Sequence, residues 1–164
     1  MKKLWIVLLC ALCLAGCGAV KNLETIADDL QFDEATAAQV EIALPQDSET
    51  VLLSGDSGDR LYLCEDYTVA VQTLSGGDLN RSLQTVTGFD KDSLTLMKTE
   101  QDGVITYSCV WSAVGEGEDQ VCRAVILDDG EYHYAVTVMA DYTQAADLAD
   151  VWQQVLGSVE LSID

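Results

Sequence analysis

Residues 121–127 and 132–139 are two runs of apolar and β-branched side chains separated only by Asp128-Asp129-Gly130-Glu131. So short a connection cannot carry the chain from the end of one strand back to its start, and the two runs must therefore pair antiparallel. An Asp-Gly step supplies the left-handed backbone that a two-residue hairpin turn needs, which places Asp129-Gly130 at the centre of the turn. Whatever else the chain does, it must be built around an antiparallel sheet that contains this hairpin.

The rest of the chain is consistent with that constraint. Strand-like runs at 40–44, 50–53, 60–64 and 67–74 are separated by turn-forming clusters such as Gly55-Asp56-Ser57-Gly58-Asp59 and Ser75-Gly76-Gly77-Asp78. Asp78 is placed to cap a helix that carries Leu79, Leu83 and Val86 on one side and stops at Gly88. Strands resume at 93–99 and 104–111, so three or four strands form a meander with the hairpin. Asp141 and Gln144 read as a capping pair, followed by one apolar face of Ala145, Leu148, Ala149, Trp152, Val155 and Leu156 that ends at Gly157. A last run at 159–161 adds an edge strand. The expected architecture is α+β: an antiparallel β-sheet packed with a helix after the fourth strand and with a long C-terminal helix.

The ending Glu131-Tyr132-His133-Tyr134-Ala135-Val136-Thr137-Val138, then a helix holding Trp152, then Gly157-Ser158-Val159-Glu160-Leu161, resembles the close of PsbP-like domains. The order of elements over residues 40–161 resembles theirs too. The resemblance implies a PsbP-like sandwich, in a family whose members include photosynthetic extrinsic subunits and many bacterial lipoproteins without assigned activity. It implies no catalytic residue and no cofactor.

The N-terminus gives a different kind of information. Lys2 and Lys3 precede an apolar run at 4–14, which is too short to span a bilayer but suits the h-region of a signal peptide. The run ends in Leu14-Ala15-Gly16-Cys17, which resembles the lipobox of bacterial lipoproteins. This implies cleavage before Cys17 and a diacylglycerol thioether on its sulfur, enough acyl chain for stable anchoring on the outer face of the cell membrane. The chain then divides into a signal peptide at 1–16, an acidic tether at 17–39 with a short amphipathic helix on Leu23, Ile26, Ala27 and Leu30, and a single domain at 40–164. Gly18, in place of an inner-membrane retention aspartate, favours a host with one membrane.

Cleavage would leave 6 of the 8 basic residues against all 28 acidic ones. Such a body repels phosphate, which excludes nucleic acid as a partner and keeps the domain off anionic lipid head groups. Three cysteines remain beyond Cys17, an odd number. Cys109 and Cys122 flank Gly115-Glu116-Gly117-Glu118, where a symmetric hairpin sets them opposite each other. The alternatives are a disulfide between these two and three buried thiols.

No candidate chemistry assembles from the sequence. Gly55-Asp56-Ser57-Gly58 resembles the nucleophile loop of trypsin-like proteases, but His133, the sole histidine, follows Ser57 where that family places its base before, and a turn explains the residues. His133 shares a strand face with Ala135 and Thr137, and neither a nucleophile nor an orienting group for it can be located. No metal site is expected. Carboxylates beside glycine, at Asp56 and Asp59, at Glu116, Glu118 and Asp119, and at Asp128, Asp129 and Glu131, suit calcium by donor type but read as solvated turns. Tyr62, Tyr67, Tyr107, Trp111, Tyr132 and Tyr134 offer rings that could line a groove for a sugar or peptide, but core packing explains most of them. The expected function is that of a non-enzymatic, lipid-anchored extracytoplasmic module that binds a protein or cell-envelope partner. The alternative is a small-solute or calcium-binding sensor.

Overall fold

The computed structural model describes residues 37–46, 48–52, 59–114 and 119–162. Residues 1–16, Cys17, the tether helix and Ser57 lie outside them. The described residues belong to a compact unit spanning Ala35–Asp164.

In chain order the elements are β1 (Gln39–Glu41), β2 (Glu49–Leu52), β3 (Arg60–Leu63), β4 (Thr68–Ser75), α1 (Leu79–Thr87), a 3-10 turn at Lys91–Ser93, β5 (Met97–Gln101), β6 (Val104–Ala113), β7 (Gln120–Asp128), β8 (Tyr132–Asp141), α2 (Ala149–Gly157) and β9 (Glu160–Ser162). Seven strands form one antiparallel sheet in the order β2-β3-β4-β8-β7-β6-β5. The fold is α+β, as expected.

Alternation along the central strands sends apolar residues to both faces. Tyr134, Val136 and Val138 of β8 join Val69, Val71, Val125 and Leu127 on one face, which α2 covers with Trp152, Val155 and Leu156. Ala135 joins Cys122, Ala124, Ile126, Cys109 and Trp111 on the other, which α1 covers with Leu83. A strand packed on both sides needs no polar face, and seven consecutive residues of β8 from Tyr132 are buried.

α1 begins as predicted. The Asp78 carboxylate accepts from the Arg81 N–H at 3.1 Å, and Gly88 closes the helix at φ 78°. Three expectations need correction. The last strand does not join the main sheet: β9 pairs antiparallel with β1 in a two-stranded ribbon, Gln39 opposite Ser162. The C-terminal helix is nine residues long and starts at Ala149, because residues 142–148 form successive turns. Asp141 ends β8, its carbonyl accepts from the Gln144 and Ala145 N–H groups, and the Gln144 side chain reaches Asp66 instead of capping a helix. Residues 91–93 are a 3-10 turn, so β5 starts at Met97.

The hairpin turn lies one residue later than expected. Asp129 N–H reaches the Tyr132 carbonyl at 3.4 Å, and positive φ occurs at Gly130, so Gly130 and Glu131 form the tip. Glycine first with an ordinary residue second is the II′ pattern. The Asp-Gly pair with both residues left-handed is Asp102-Gly103, at φ 52° and 86°, which joins β5 to β6.

Gly76 packs against the β7–β8 turn and donates its N–H to the Glu131 carbonyl at 2.9 Å. A Cβ there would sit 2.6 Å from that oxygen and 2.8 Å from its carbon. Both are backbone atoms and cannot rotate away. Gly76→Ala is therefore expected to cost about 1–3 kcal/mol. Thermal melting should register a drop of several degrees, and an unchanged Tm would contradict this packing.

Candidate functional site

The hairpin and α1 together build a set of groups that the sequence did not reveal. Asp78 caps α1 so that Ser82 lies in its first turn, with Ser82 N–H donating to the Asp78 carbonyl at 3.1 Å. From there Ser82 Oγ reaches His133 Nδ1 on β8 at 2.7 Å, while His133 Nε2 faces Asp128 Oδ2 at the end of β7 at 3.5 Å. A carboxylate can only accept, so Nε2 carries the proton that faces it, and Nδ1 accepts from the Ser82 hydroxyl. Register places Asp128 directly opposite His133.

Serine, histidine and aspartate in line are the groups of a nucleophilic triad, here with the ring nitrogens exchanged relative to the serine-protease arrangement. What decides their use is access. Ser82 is 2% exposed and His133 1%. A nucleophile must meet a carbonyl carbon, and this hydroxyl faces the sheet beneath its own helix. The arrangement as it stands ties α1 to β8 and gives a buried imidazole a hydroxyl bonded to one nitrogen and a carboxylate 3.5 Å from the other. Sequence reasoning could not assemble it, because Ser82 sits 51 residues from His133 in the chain.

The accessible concavity is elsewhere. Residues 42–45 run over α2, held where Ala43 N–H donates to Ser158 Oγ at 2.9 Å while that hydroxyl donates to the Val155 carbonyl at 2.7 Å. Between this segment and the helix lies a groove of about 290 Å³, lined by Ala43, Leu44, Pro45, Tyr67, Val151, Gln154 and Val155. A shallower, more polar depression of about 500 Å³ adjoins it at Asp150, Gln153, Gln154, Gly157 and Ser158. The groove is mostly apolar and sits at the small end of ligand-site volumes.

The acidic hairpin is committed internally. Asp128 Oδ1 accepts from Gly130 N–H at 2.9 Å, and Asp129 Oδ1 accepts from Glu131 N–H at 2.9 Å and Tyr132 N–H at 2.7 Å. Asp129 Oδ2 takes the Tyr134 hydroxyl at 2.9 Å, and that same hydroxyl oxygen accepts from Ala38 N–H at 2.9 Å. Burial pushes the Asp129 carboxyl up, but the N–H groups of Tyr132 and Glu131 and the Tyr134 hydroxyl outweigh it and hold the group below its ordinary range. Burial, with the Asp129 carboxylate adding to it, pushes Tyr134 up to about 12. Glu116, Glu118 and Asp56 lie outside the described residues. Asp119 is exposed, and among the described residues no cluster of His, Cys, Asp and Glu forms a metal-binding group.

The cysteine placement needs correction. The β6–β7 register sets Cys109 opposite Ala124 and Cys122 opposite Trp111, so the two cysteines are diagonal neighbours and not a facing pair. Diagonal positions stand about 7–8 Å apart, beyond the roughly 4.4–6.8 Å a disulfide spans. Both are buried free thiols, and burial pushes each to about 11. The aromatics divide between the faces: Tyr67, Tyr132 and Tyr134 in one core, Trp111 and Tyr107 in or against the other, Tyr62 at the margin of the first. They do not line a common groove, although Tyr67 forms part of the groove wall beside α2.

No protein-family model and no curated protein sequence matches the chain. Solved structures of similar shape exist. Cyanobacterial PsbP from Synechocystis aligns with a TM-score of 0.57 at 13% identity, covering 77% of this chain and 94% of its own. A Bacteroides thetaiotaomicron protein aligns at 0.51 and 14% identity over 76% of this chain and 46% of its own, so the chain matches under half of that protein. LpqN of Mycobacterium tuberculosis, involved in cell envelope biogenesis, aligns with a TM-score of 0.48 at 10% identity over 80% of this chain and 87% of its own. The first two show a shared fold, PsbP-like in architecture, and nothing finer.

Two outcomes follow from these groups. Because the folded-state value for Asp129 is depressed, its carboxylate stabilises the fold above the ordinary aspartate range near pH 4, and that contribution is lost as pH falls through the folded value. Asp129→Asn should therefore lower stability at pH 7 and flatten the loss seen in acid; an unchanged acid limb in urea titrations would contradict it. With thiols near 11, only about a thousandth of Cys109 and Cys122 is ionised at pH 8. Both should react with a thiol reagent far more slowly in the native chain than after denaturation, and equal rates would show that they are not buried.

Proposed function

We propose that this chain is a lipid-anchored extracytoplasmic protein, held through Cys17, that acts by contact with a protein or cell-envelope partner and not by catalysis. The observation that carries the non-catalytic part is the burial of Ser82 and His133: among the described residues, the set of side chains with hydrolytic character, completed by Asp128, is consumed in fixing α1 to the sheet. The anchor rests on the signal-like start and Leu14-Ala15-Gly16-Cys17. Among the described residues no helix is long and apolar enough to cross a membrane. Contact through α2 and the segment before β2 is supported by the apolar groove there, where Val151 remains 36% exposed.

The small-solute and calcium reading is the less favoured. Its best acidic turn spends its carboxylates on backbone donors, and its aromatics are divided between two cores. The test uses the full chain expressed in a bacterial host. The native chain should fractionate with membranes and incorporate labelled fatty acid, and Cys17→Ala should abolish both. Melting of the purified protein should be unmoved by millimolar calcium or by a panel of small solutes. Membrane association that survives Cys17→Ala would overturn the anchor. A saturable rise in Tm, about 2.7 kcal/mol at a hundredfold excess over Kd, would overturn the partner reading in favour of ligand sensing.

A further inference from the structure

Among the described residues the seven-stranded sheet ends at β5, and all five of its residues are exposed. A sheet edge presents N–H and C=O groups with no partner strand, and proteins commonly blunt such edges with charge. β5 carries charge, but in an order with its own consequence: Met97-Lys98-Thr99-Glu100-Gln101. Set antiparallel against a copy of itself about Thr99, the strand brings Lys98 opposite Glu100, Thr99 opposite Thr99, and Glu100 opposite Lys98.

The adjoining turn determines which backbone groups face outward. Asp102 and Gly103, both at positive φ, form a two-residue I′ loop that closes on Gln101 opposite Val104. In such a hairpin the closing pair exchanges both of its hydrogen bonds. Gln101 therefore turns its backbone groups toward β6, as do Thr99 and Met97, while Lys98 and Glu100 turn theirs away from the sheet. The two residues whose backbone is open to another strand are thus the two whose side chains are opposite in charge. Both side chains lie on one face, Lys98 beside Tyr107 and Glu100 beside Ile105 in the register with β6.

We propose that β5 is a self-recognition edge, where a second copy of this chain pairs antiparallel about Thr99 and joins the two sheets into one. In that pairing each Lys98 exchanges both backbone hydrogen bonds with Glu100 of the other copy and forms a cross-strand ion pair on the same face. On the opposite face Met97, 62% exposed in the single chain, lies against Gln101 of the other copy. The chain's formal charge of −20 opposes association at long range. The edge itself is locally neutral, and at physiological salt a screening length of about 8 Å confines the repulsion to near neighbours. The inference does not depend on the lipid anchor.

Two readouts on the full chain test it. Facing residues of a non-hydrogen-bonded antiparallel pair stand about 4.5 Å apart, within disulfide reach. Thr99→Cys should therefore give a covalent dimer on mild oxidation, above the background of the parent chain, while Lys98→Cys, which faces Glu100, should not. In sedimentation at physiological salt, Lys98→Glu or Glu100→Lys alone should weaken self-association by about tenfold or more through like charges set opposite each other, and the two combined should restore it. These positions are exposed, so at dilutions where the parent chain is monomeric each variant should keep the parent Tm. A Thr99→Cys chain that stays monomeric overturns the proposal. So does a combined swap that fails to restore association, or a Thr99→Cys crosslink in cells to a protein of different mass.

Discussion

β8 lies at the centre of the sheet, with side chains buried on both faces, and the remaining architecture answers to that fact. A strand that is apolar on one side can leave the other to water; β8 cannot. Each face needs a cover, and the chain supplies α1 on one and α2 on the other, both in contact with β8. α1 must fall between β4 and β5 and α2 after β8, because those are the two points where the chain leaves the sheet with enough length to cross a face. The strands are then placed by short connections: β7 and β8 by a tight turn, β5 and β6 by another, and β4 beside β8 because Gly76 lets the end of β4 approach the β7–β8 turn closely.

Two titratable groups admitted to this interior, His133 and Tyr134, are given polar partners, and the way they are partnered separates structural from chemical roles. His133 projects from the same strand that supplies much of the apolar core, so both its nitrogens need partners. Ser82 comes from the covering helix and Asp128 from the neighbouring strand. Histidine flanked by a hydroxyl and a carboxylate is what a hydrolase needs and also what a buried imidazole needs, and exposure discriminates between the two. On the opposite face Tyr134 plays a comparable part, its hydroxyl donating to Asp129 and accepting from Ala38. One histidine and one tyrosine, adjacent in space but facing opposite ways, each fasten a separate covering segment to the sheet.

The strands and α1 were legible in the sequence because their signals are local. Period-two runs bounded by Gly and Asp gave β4, β6, β7 and β8 to within two residues, and Asp78 and Gly88 marked the ends of α1. What was not legible depended on distant partners. Asp141 and Gln144 carry a good local helix start, yet Asp141 is claimed by β8 and Gln144 by Asp66. The run at 159–161 is strand-like, but nothing near it indicates that its partner is Gln39–Glu41. Cys109 and Cys122 were expected to face each other, but Cys109 lies six residues before Gly115 and Cys122 only four after Glu118, so the pairing that sets Ala113 opposite Gln120 puts the two on the diagonal. The Asp129-Gly130 pair also misled: its Asp side chain is occupied with the N–H groups of Glu131 and Tyr132 and the tip moves to Gly130, whereas at Asp102-Gly103 both residues are left-handed.

The β1–β9 ribbon gives the domain an unusual mechanical layout. Among the described residues the first and last strands lie side by side, so the described chain starts and finishes at nearly the same point. A pull delivered through the residues that precede Ala38 reaches three paired residues and the Tyr134 hydroxyl before it reaches any strand of the main sheet. The ribbon would yield first, as a sacrificial clasp, and the seven-stranded sheet would keep its shape.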